Sequence, residues 1–168
     1  MRVLGIDCGT EFTGFGVVEL CPDGALLCLT SGAIKLSVRE SLPARLATIF
    51  QRLSSLIEEH RPDNVAIEDV FYAVNVKSAL KLGQVRGVAM LAASSAGLDV
   101  AEYSPLSIKS AVVGYGRAEK HQVQQMVTRL LNLADIPESP DAADALAIAI
   151  CHLHTSATLE RQKVAASR

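Results

Sequence analysis

The spacing of apolar residues changes near residue 42 of this chain, and that change restricts the folds it can form. Three apolar runs come first, at 2–7, 13–20 and 25–36. Short turns separate them, and in Pro22-Asp23-Gly24 proline fixes one dihedral while glycine permits a positive φ. Turns of this kind join antiparallel strands, so the runs predict a three-stranded meander. From Leu42 to the break at Arg61-Pro62, apolar residues recur at helical spacing instead.

The rest of the chain alternates strands and helices. Short apolar segments predict strands at 64–68 and 98–103. A cap residue followed by proline marks two helix starts, at Ser104-Pro105 and Ser139-Pro140. The helices expected after the first one cover about 75–95, 104–113, 119–133 and 139–154.

The order of these elements predicts one α/β domain over residues 1–155. Its mixed five-stranded sheet would combine the antiparallel meander with two parallel strands that enter through helical crossovers, and helices would flank it. Residues 156–168 are polar and show no pattern, so they are expected to form a flexible C-terminal tail.

Composition agrees with a single core-rich domain. The chain has 168 residues, of which 49% are apolar and 20% charged, which excludes intrinsic disorder. The longest strongly apolar stretch, 142–150, contains Asp144 and is too short to cross a bilayer. Asp7 lies where a secretory signal would be apolar, so no signal is visible and a cytoplasmic location is expected.

Charge is unevenly distributed, although the net charge is only −2. Residues 77–129 carry 7 basic and 3 acidic side chains, and the segments before and after are both acidic. A basic middle third is typical of a phosphate-binding surface next to a carboxylate cluster. A chance distribution of exposed charged side chains would explain the same counts.

Acidic residues occur at three places where burial is expected. Asp7 ends the first apolar strand, Glu68 ends the strand at 64–68, and Asp141 and Asp144 lie three residues apart on one face of the last helix. Residues at strand ends are usually at the surface, which would explain Asp7 and Glu68. The helix dipole stabilises a negative charge in the first turn, so Asp141 can be explained without any function. Asp144 lies in a helix that is apolar on almost every side, where an unpaired carboxylate would cost several kcal/mol.

These carboxylates could meet at one edge of the sheet if the first and fourth strands are neighbours. Four converging oxygen ligands suit Mg²⁺ or Mn²⁺. Without a metal, at least one carboxyl group would need a raised pKa to stay buried.

Several ordered motifs resemble those of the RuvC family of Holliday-junction resolvases, over residues 2–152. They are Gly5-Ile6-Asp7-Cys8-Gly9-Thr10, Thr13-Gly14-Phe15-Gly16-Val17, Ala66-Ile67-Glu68-Asp69-Val70-Phe71, Ser78-Ala79-Leu80-Lys81-Leu82-Gly83-Gln84-Val85-Arg86-Gly87-Val88-Ala89, Val112-Val113-Gly114, Ala118-Glu119-Lys120 and Asp141-Ala142-Ala143-Asp144-Ala145-Leu146-Ala147.

The resemblance implies a ribonuclease-H-like fold and a homodimer that nicks two strands of a four-way DNA junction symmetrically. It implies work in homologous recombination and DNA repair, products with 5′-phosphate and 3′-hydroxyl ends, and Mg²⁺ or Mn²⁺ as cofactor, with two ions in each active site. A branch-migration motor complex is an expected partner.

The same resemblance assigns roles to single residues. The catalytic and metal-binding set is Asp7, Glu68, Asp141 and Asp144. The DNA-binding set is Phe71, Lys81, Arg86, Lys109 and Lys120, in which Phe71 is the aromatic presented to the junction and Lys109 and Lys120 lie beside the scissile phosphate. Two positions depart from the family pattern: Cys8 replaces the usual proline, and Asp69 replaces a residue that is commonly neutral.

The helix at 75–95 is a candidate dimer wall. Its small and apolar residues would let a partner helix approach closely, and they are Val85, Gly87, Val88, Ala89, Leu91 and Ala92. A helix that is apolar on two sides is equally typical of a protein interior.

Three other functions remain open from the residues. Gly5-Ile6-Asp7-Cys8-Gly9-Thr10 with Thr13-Gly14 is similar to the phosphate loop of sugar kinases, actin and chaperone ATPases, which need a second domain that 168 residues cannot supply. A junction-binding module without cleavage would keep the basic residues but would not need four carboxylates. A nuclease of the same superfamily acting on RNA or hybrids would differ only in substrate.

Overall fold

A five-stranded mixed sheet forms the centre of the molecule. The computed structural model describes residues 1–69 and 75–166, and the strand order is β3-β2-β1-β4-β5. The antiparallel meander consists of β1 (Arg2–Asp7), β2 (Phe12–Leu20) and β3 (Leu26–Lys35). The parallel strands are β4 (Asn64–Glu68), which pairs with β1, and β5 (Asp99–Tyr103), which pairs with β4. The predicted sheet is therefore confirmed.

Helices cover both faces of the sheet. They are α1 (Leu42–His60), α2 (Val76–Ser95), α3 (Pro105–Val113), α4 (Lys120–Leu130) and α5 (Pro140–Ala166). The side chain of Ser104 accepts a hydrogen bond from the Ser107 amide at the start of α3, as its cap position predicted. In the described part of the chain, no helix has the length and apolarity needed to cross a membrane.

The predicted end of the last helix at residue 154 is wrong, because α5 continues to Ala166. Past His154 the apolar residues no longer follow a helical pattern, and hydroxyl groups there bond to the main chain of the helix itself. Thr155 donates to the carbonyl of Cys151 at 2.8 Å, and Ser156 donates to that of His152 at 2.7 Å. Residues 155–166 also include Ala, Leu, Glu, Arg, Gln and Lys, whose good helix propensity lets the helix continue where the apolar pattern stops. The division of the chain at residue 155 stays a prediction.

The core has two halves, one on each face of the sheet. Successive side chains of a strand point to opposite faces. Leu4 and Ile6 of β1 pack with α1 and α2, whereas Val3 packs with α3, α4 and α5. In β4, Val65 and Ile67 join the first half and Ala66 joins the second.

Glycines let α5 lie directly on the sheet. A Cβ atom on Gly5 of β1 would be 2.0 Å from the carbonyl oxygen of Ala145, and one on Gly14 of β2 would be 2.0 Å from that of Asp141. Both obstacles are backbone atoms, which cannot rotate away. The N-terminal part of α5 is therefore held against the ends of β1 and β2.

We expect Gly5→Ala to lower the free energy of unfolding by about 3 kcal/mol or more, because the new methyl group forces α5 off the sheet. Gly97→Ala is the control: Gly97 has φ 74°, and a Cβ atom added there would have no neighbouring atom within 4 Å. It should therefore cost only the ~1 kcal/mol of a left-handed alanine. Urea unfolding measures both. Equal losses would show that the close approach of α5 does not constrain the fold.

Candidate active site

Two carboxylates meet at the end of the sheet because β1 and β4 are parallel. Their register pairs Ile6 with Ile67, so the next residues, Asp7 and Glu68, lie side by side. Side chains alternate between the two faces along a strand, so those of Asp7 and Glu68 point to the same face as Val3 and Ala66, toward α5. The first and fourth strands are therefore neighbours, which is the condition under which the sequence allowed these carboxylates to meet.

Two further carboxylates come from the start of α5. Asp141 lies in its first turn, where its carboxylate accepts a hydrogen bond from the Ser139 hydroxyl at 3.4 Å. One turn later, Asp144 accepts a hydrogen bond from the Lys120 ammonium at 2.6 Å, and 30% of its side chain is exposed. The ion pair supplies the partner that a carboxylate in this apolar helix requires.

Three of the four carboxylates share one pocket of about 280 Å³ with two lysines. Asp7 and Glu68 come from the sheet, Asp144 from α5, Lys109 from α3 and Lys120 from the start of α4. Its remaining lining is mostly apolar and consists of Pro105, Ile108, Val123, Ala147 and Ile148. Asp141 lines a neighbouring groove together with Phe12 and Lys35.

Among the carboxyl groups of this cluster, Asp7 has the most strongly raised pKa. Burial is the largest cause that raises the pKa of its carboxyl group to about 7. The negative charges of Asp144, Glu68 and Asp141 act in the same direction, and Lys120 opposes them. The pKa of Glu68 is also raised, first by burial and then by Asp144. Hydrogen bonding to Asp144 raises the pKa of Lys120, which therefore stays charged.

The donor chemistry of the pocket fits a hard divalent cation. Carboxylate oxygens are the preferred ligands of Mg²⁺ and Mn²⁺, and such an ion would compensate the charge that raises the pKa of Asp7. Among the described residues, no three ligating side chains are already arranged around a single ion position. The Lys120 ammonium holds Asp144 instead.

Cys8 lies next to Asp7 but belongs to the opposite side of the sheet. Its side chain packs against the core half formed with α1 and α2. Burial raises the pKa of its thiol to about 12, so the thiol is protonated at neutral pH. Cysteine at this position thus adds no charged group to the pocket.

The predicted DNA-binding residues differ from one another in their surroundings. Lys109 and Lys120 line the pocket, whereas Lys81 is exposed on α2. Arg86 is only 11% exposed, and its guanidinium bonds to the main-chain carbonyl of Glu68 and to the Glu102 carboxylate. Phe71 lies outside the described residues. The DNA contacts of all five residues stay predictions.

Two features of the site region had no assignment from the sequence. One is the set of partners around Arg86, and the other is a hydrogen bond of 2.9 Å between the Tyr103 hydroxyl and Nδ1 of His152. The bond joins the end of β5 to α5, and burial lowers the pKa of His152. Spacing along the chain could not reveal either one, since 16 positions separate Arg86 from Glu102 and 49 separate Tyr103 from His152.

A family model described as crossover junction endodeoxyribonuclease RuvC matches residues 3–152. The chain belongs to the RuvC family. It is therefore an enzyme of the endodeoxyribonuclease class, as the motif resemblance implied.

RuvC relatives match nearly the whole chain. The crossover junction endodeoxyribonuclease RuvC of Koribacter versatilis is 67% identical over 161 residues, which is 96% of this chain and 97% of the relative. Thermus thermophilus RuvC has a structure with a TM-score of 0.88 and 34% identity, covering 94% of this chain and 96% of that one. T. thermophilus RuvC in complex with a Holliday junction substrate has a TM-score of 0.87, 32% identity and the same coverage. The fold implied by the resemblance is confirmed.

We expect the metal-free protein to lose stability as the pH rises from 5 to 8. The folded pKa of Asp7, about 7, exceeds its ordinary value of 3.8, so its contribution to stability is complete below 3.8 and is lost as the pH rises through about 7. Asp7→Asn should therefore raise the free energy of unfolding at pH 8 by at least about 1 kcal/mol, or ~2–4 °C in Tm.

Thermal unfolding in a chelator at several pH values measures this effect. Glu58→Gln, at an exposed position of α1, is the matched control and should leave the pH profile unchanged. A profile of Asp7→Asn parallel to that of the wild type would contradict a buried, destabilised carboxylate at this position.

Proposed function

We propose that this protein resolves four-way DNA junctions as a homodimer that makes paired, symmetric nicks in a reaction dependent on Mg²⁺ or Mn²⁺. Two ions would bind in each active site, and the products would carry 5′-phosphate and 3′-hydroxyl ends. One observation carries the proposal: Asp7, Glu68 and Asp144 converge with Lys109 and Lys120 in one pocket. Membership of the RuvC family and the junction complex of the T. thermophilus relative support the substrate.

The carboxylates would hold the metal ions. Asp7 and Glu68 are fixed by the sheet, and Asp141 and Asp144 by α5. A divalent ion bound there supplies an activated water and stabilises the charge that develops on the attacked phosphate. Because Asp7 has a pKa near 7, loss of its proton and metal binding are coupled.

The lysines would bind the phosphate backbone. Lys109 and Lys120 face the same pocket as the carboxylates and belong to different helices. Contacts with phosphate add affinity that depends on salt and position the strand without reading its sequence. Lys120 also forms an ion pair with Asp144, so its charge lies next to one of the proposed metal ligands.

The exposed face of α2 would form the dimer interface. Leu80 and Leu91 are 64% and 56% exposed, and between them Gly83 and Gly87 have open space where a side chain would be. A face of this kind lets a second helix approach closely, and a twofold dimer matches two cuts in a junction of near-twofold symmetry.

The composition of this face differs from the sequence-based prediction. Val85, Ala89 and Ala92, which were expected in the dimer wall, are buried in the core of the subunit. The interior side of α2 packs on the sheet, as is typical of a helix in a protein interior. The outer side, with Gly87 and Leu91, is the part that would meet a partner helix.

The cellular setting follows from the same proposal. A junction-cutting nuclease of this kind would act in homologous recombination and DNA repair, in the cytoplasm, and with a branch-migration motor complex as partner. These expectations come from the family resemblance.

We expect wild-type protein to nick a synthetic four-way junction in both symmetric strands and to leave linear duplex of the same sequence intact. Chelation of the metal or Asp7→Asn should reduce the rate by about 1000-fold or more, because several kcal/mol of charge stabilisation are lost. Junction cleavage with Mg²⁺ or Mn²⁺ measures both effects.

The other outcomes separate the alternatives. Tight junction binding without nicks in either metal would indicate a binding module. Cleavage of RNA or hybrids in preference to the junction would indicate a different nuclease. Absence of binding together with ATP hydrolysis would favour the phosphate-loop interpretation.

We expect Leu91→Glu to convert the dimer to monomers, because it places a charge in the apolar face of α2. Val38→Glu is the control, since Val38 is 67% exposed in the connection between β3 and α1. Sedimentation equilibrium at micromolar concentration measures the change. A dimer that survives Leu91→Glu would exclude this face, and a monomeric wild type would exclude the dimer.

A further inference from the structure

We propose that Arg86 is a positioning residue that fixes the end of β4 and thereby the Glu68 carboxylate. The inference rests on the proposed function, since it concerns the same pocket. Arg86 belongs to α2, and Nη1 of its guanidinium donates to the main-chain carbonyl of Glu68. Nη2 donates to the Glu102 carboxylate of β5, and it lies 3.7 Å from the Asp69 carboxylate.

Arg86 reaches Glu68 from the side opposite to the pocket. The helix α2 packs on the same sheet face as Val100 of β5, and Glu102 shares the orientation of Val100 by strand alternation. The Glu68 side chain points to the other face, into the pocket. Arg86 therefore holds the main chain from behind without occupying the site.

The end of β4 is the place where such support is needed. The ladder between β4 and β5 ends with Glu68 paired to Tyr103, followed by one bond of 2.8 Å from the Asp69 amide to the Tyr103 carbonyl. Arg86 adds bonds to β4 and β5 at the same level. The planar guanidinium can donate to several acceptors in fixed directions, which a lysine ammonium does not do.

The surroundings of Arg86 argue against the predicted contact with DNA. Its side chain is 11% exposed, and two carboxylates, Asp69 and Glu102, lie next to its single positive charge. A group engaged in this way offers little charge to a phosphate. Lys81, exposed on the same helix, is the better candidate for that contact.

Arg86→Gln tests the proposal, with Arg52→Gln as the matched control at an exposed position of α1. Three quantities separate positioning from DNA binding. They are junction affinity in chelator at several salt concentrations, the single-turnover cleavage rate, and the rise in Tm that Mn²⁺ causes in the DNA-free protein.

We expect Arg86→Gln to bind the junction within about twofold of wild type and with the same salt dependence, since no phosphate contact is lost. Its cleavage rate should fall at least about tenfold, and the Mn²⁺-induced rise in Tm should shrink, because Glu68 is no longer held in place. Arg86→Lys should restore little of either. Arg52→Gln should match wild type in all three measurements.

Two results would overturn the proposal. A weaker junction affinity with a salt slope reduced by about one would make Arg86 a phosphate contact. A full Mn²⁺-induced rise in Tm in Arg86→Gln would show that Glu68 needs no support from Arg86. This second readout does not require cleavage, so it is distinguishable from failure of the wild type to cut junctions.

Should Arg86→Gln fail to fold, Glu102→Gln removes one acceptor and leaves Arg86 in place. The proposal then requires a smaller loss of cleavage and of the Mn²⁺ effect, with junction affinity unchanged. Wild-type values for both quantities in Glu102→Gln would overturn it.

Discussion

The carboxylates at the end of the sheet lie close together and repel one another, so the rest of the structure has to hold them in place. Asp7 ends the central strand, next to Glu68 and below the start of α5 with its two aspartates. Burial and repulsion raise its pKa to about 7, so folding disfavours the charged form of this group. Separating the carboxylates would reduce their repulsion. The packing of α5 on the sheet is therefore what keeps them together.

The surrounding elements supply the forces that keep the cluster together. Close approach at Gly5 and Gly14 fixes α5 against the sheet, and Lys120 compensates Asp144 from the start of α4. Arg86 holds the opposite side of the same sheet edge. Helices from both faces thus converge on the two neighbouring strand ends, and a divalent ion would complete the compensation of charge.

Local chemistry made most of the fold predictable. Turn residues and strand-length apolar runs define the meander. Ser104-Pro105 marks the start of α3, where Ser104 caps the helix, and Ser139-Pro140 marks the start of α5. The end of α5 was not predictable from apolar spacing, because residues 155–166 continue the helix without a regular apolar pattern. Among the candidate site residues, the positions of Asp7 and Glu68 followed from strand order. The partners of Arg86 depend on which face of the sheet α2 covers, which spacing does not determine.

The position of Cys8 has a consequence for the kind of metal that the pocket can select. A thiolate beside Asp7 would be a soft ligand and would favour zinc or copper over magnesium. Here the thiol packs on the far face of the sheet with a pKa of about 12, so it stays protonated and points away from the carboxylates. Among the described residues, the acidic groups that line the pocket are all carboxylates, which are hard oxygen donors. The cysteine next to Asp7 adds no soft ligand to them.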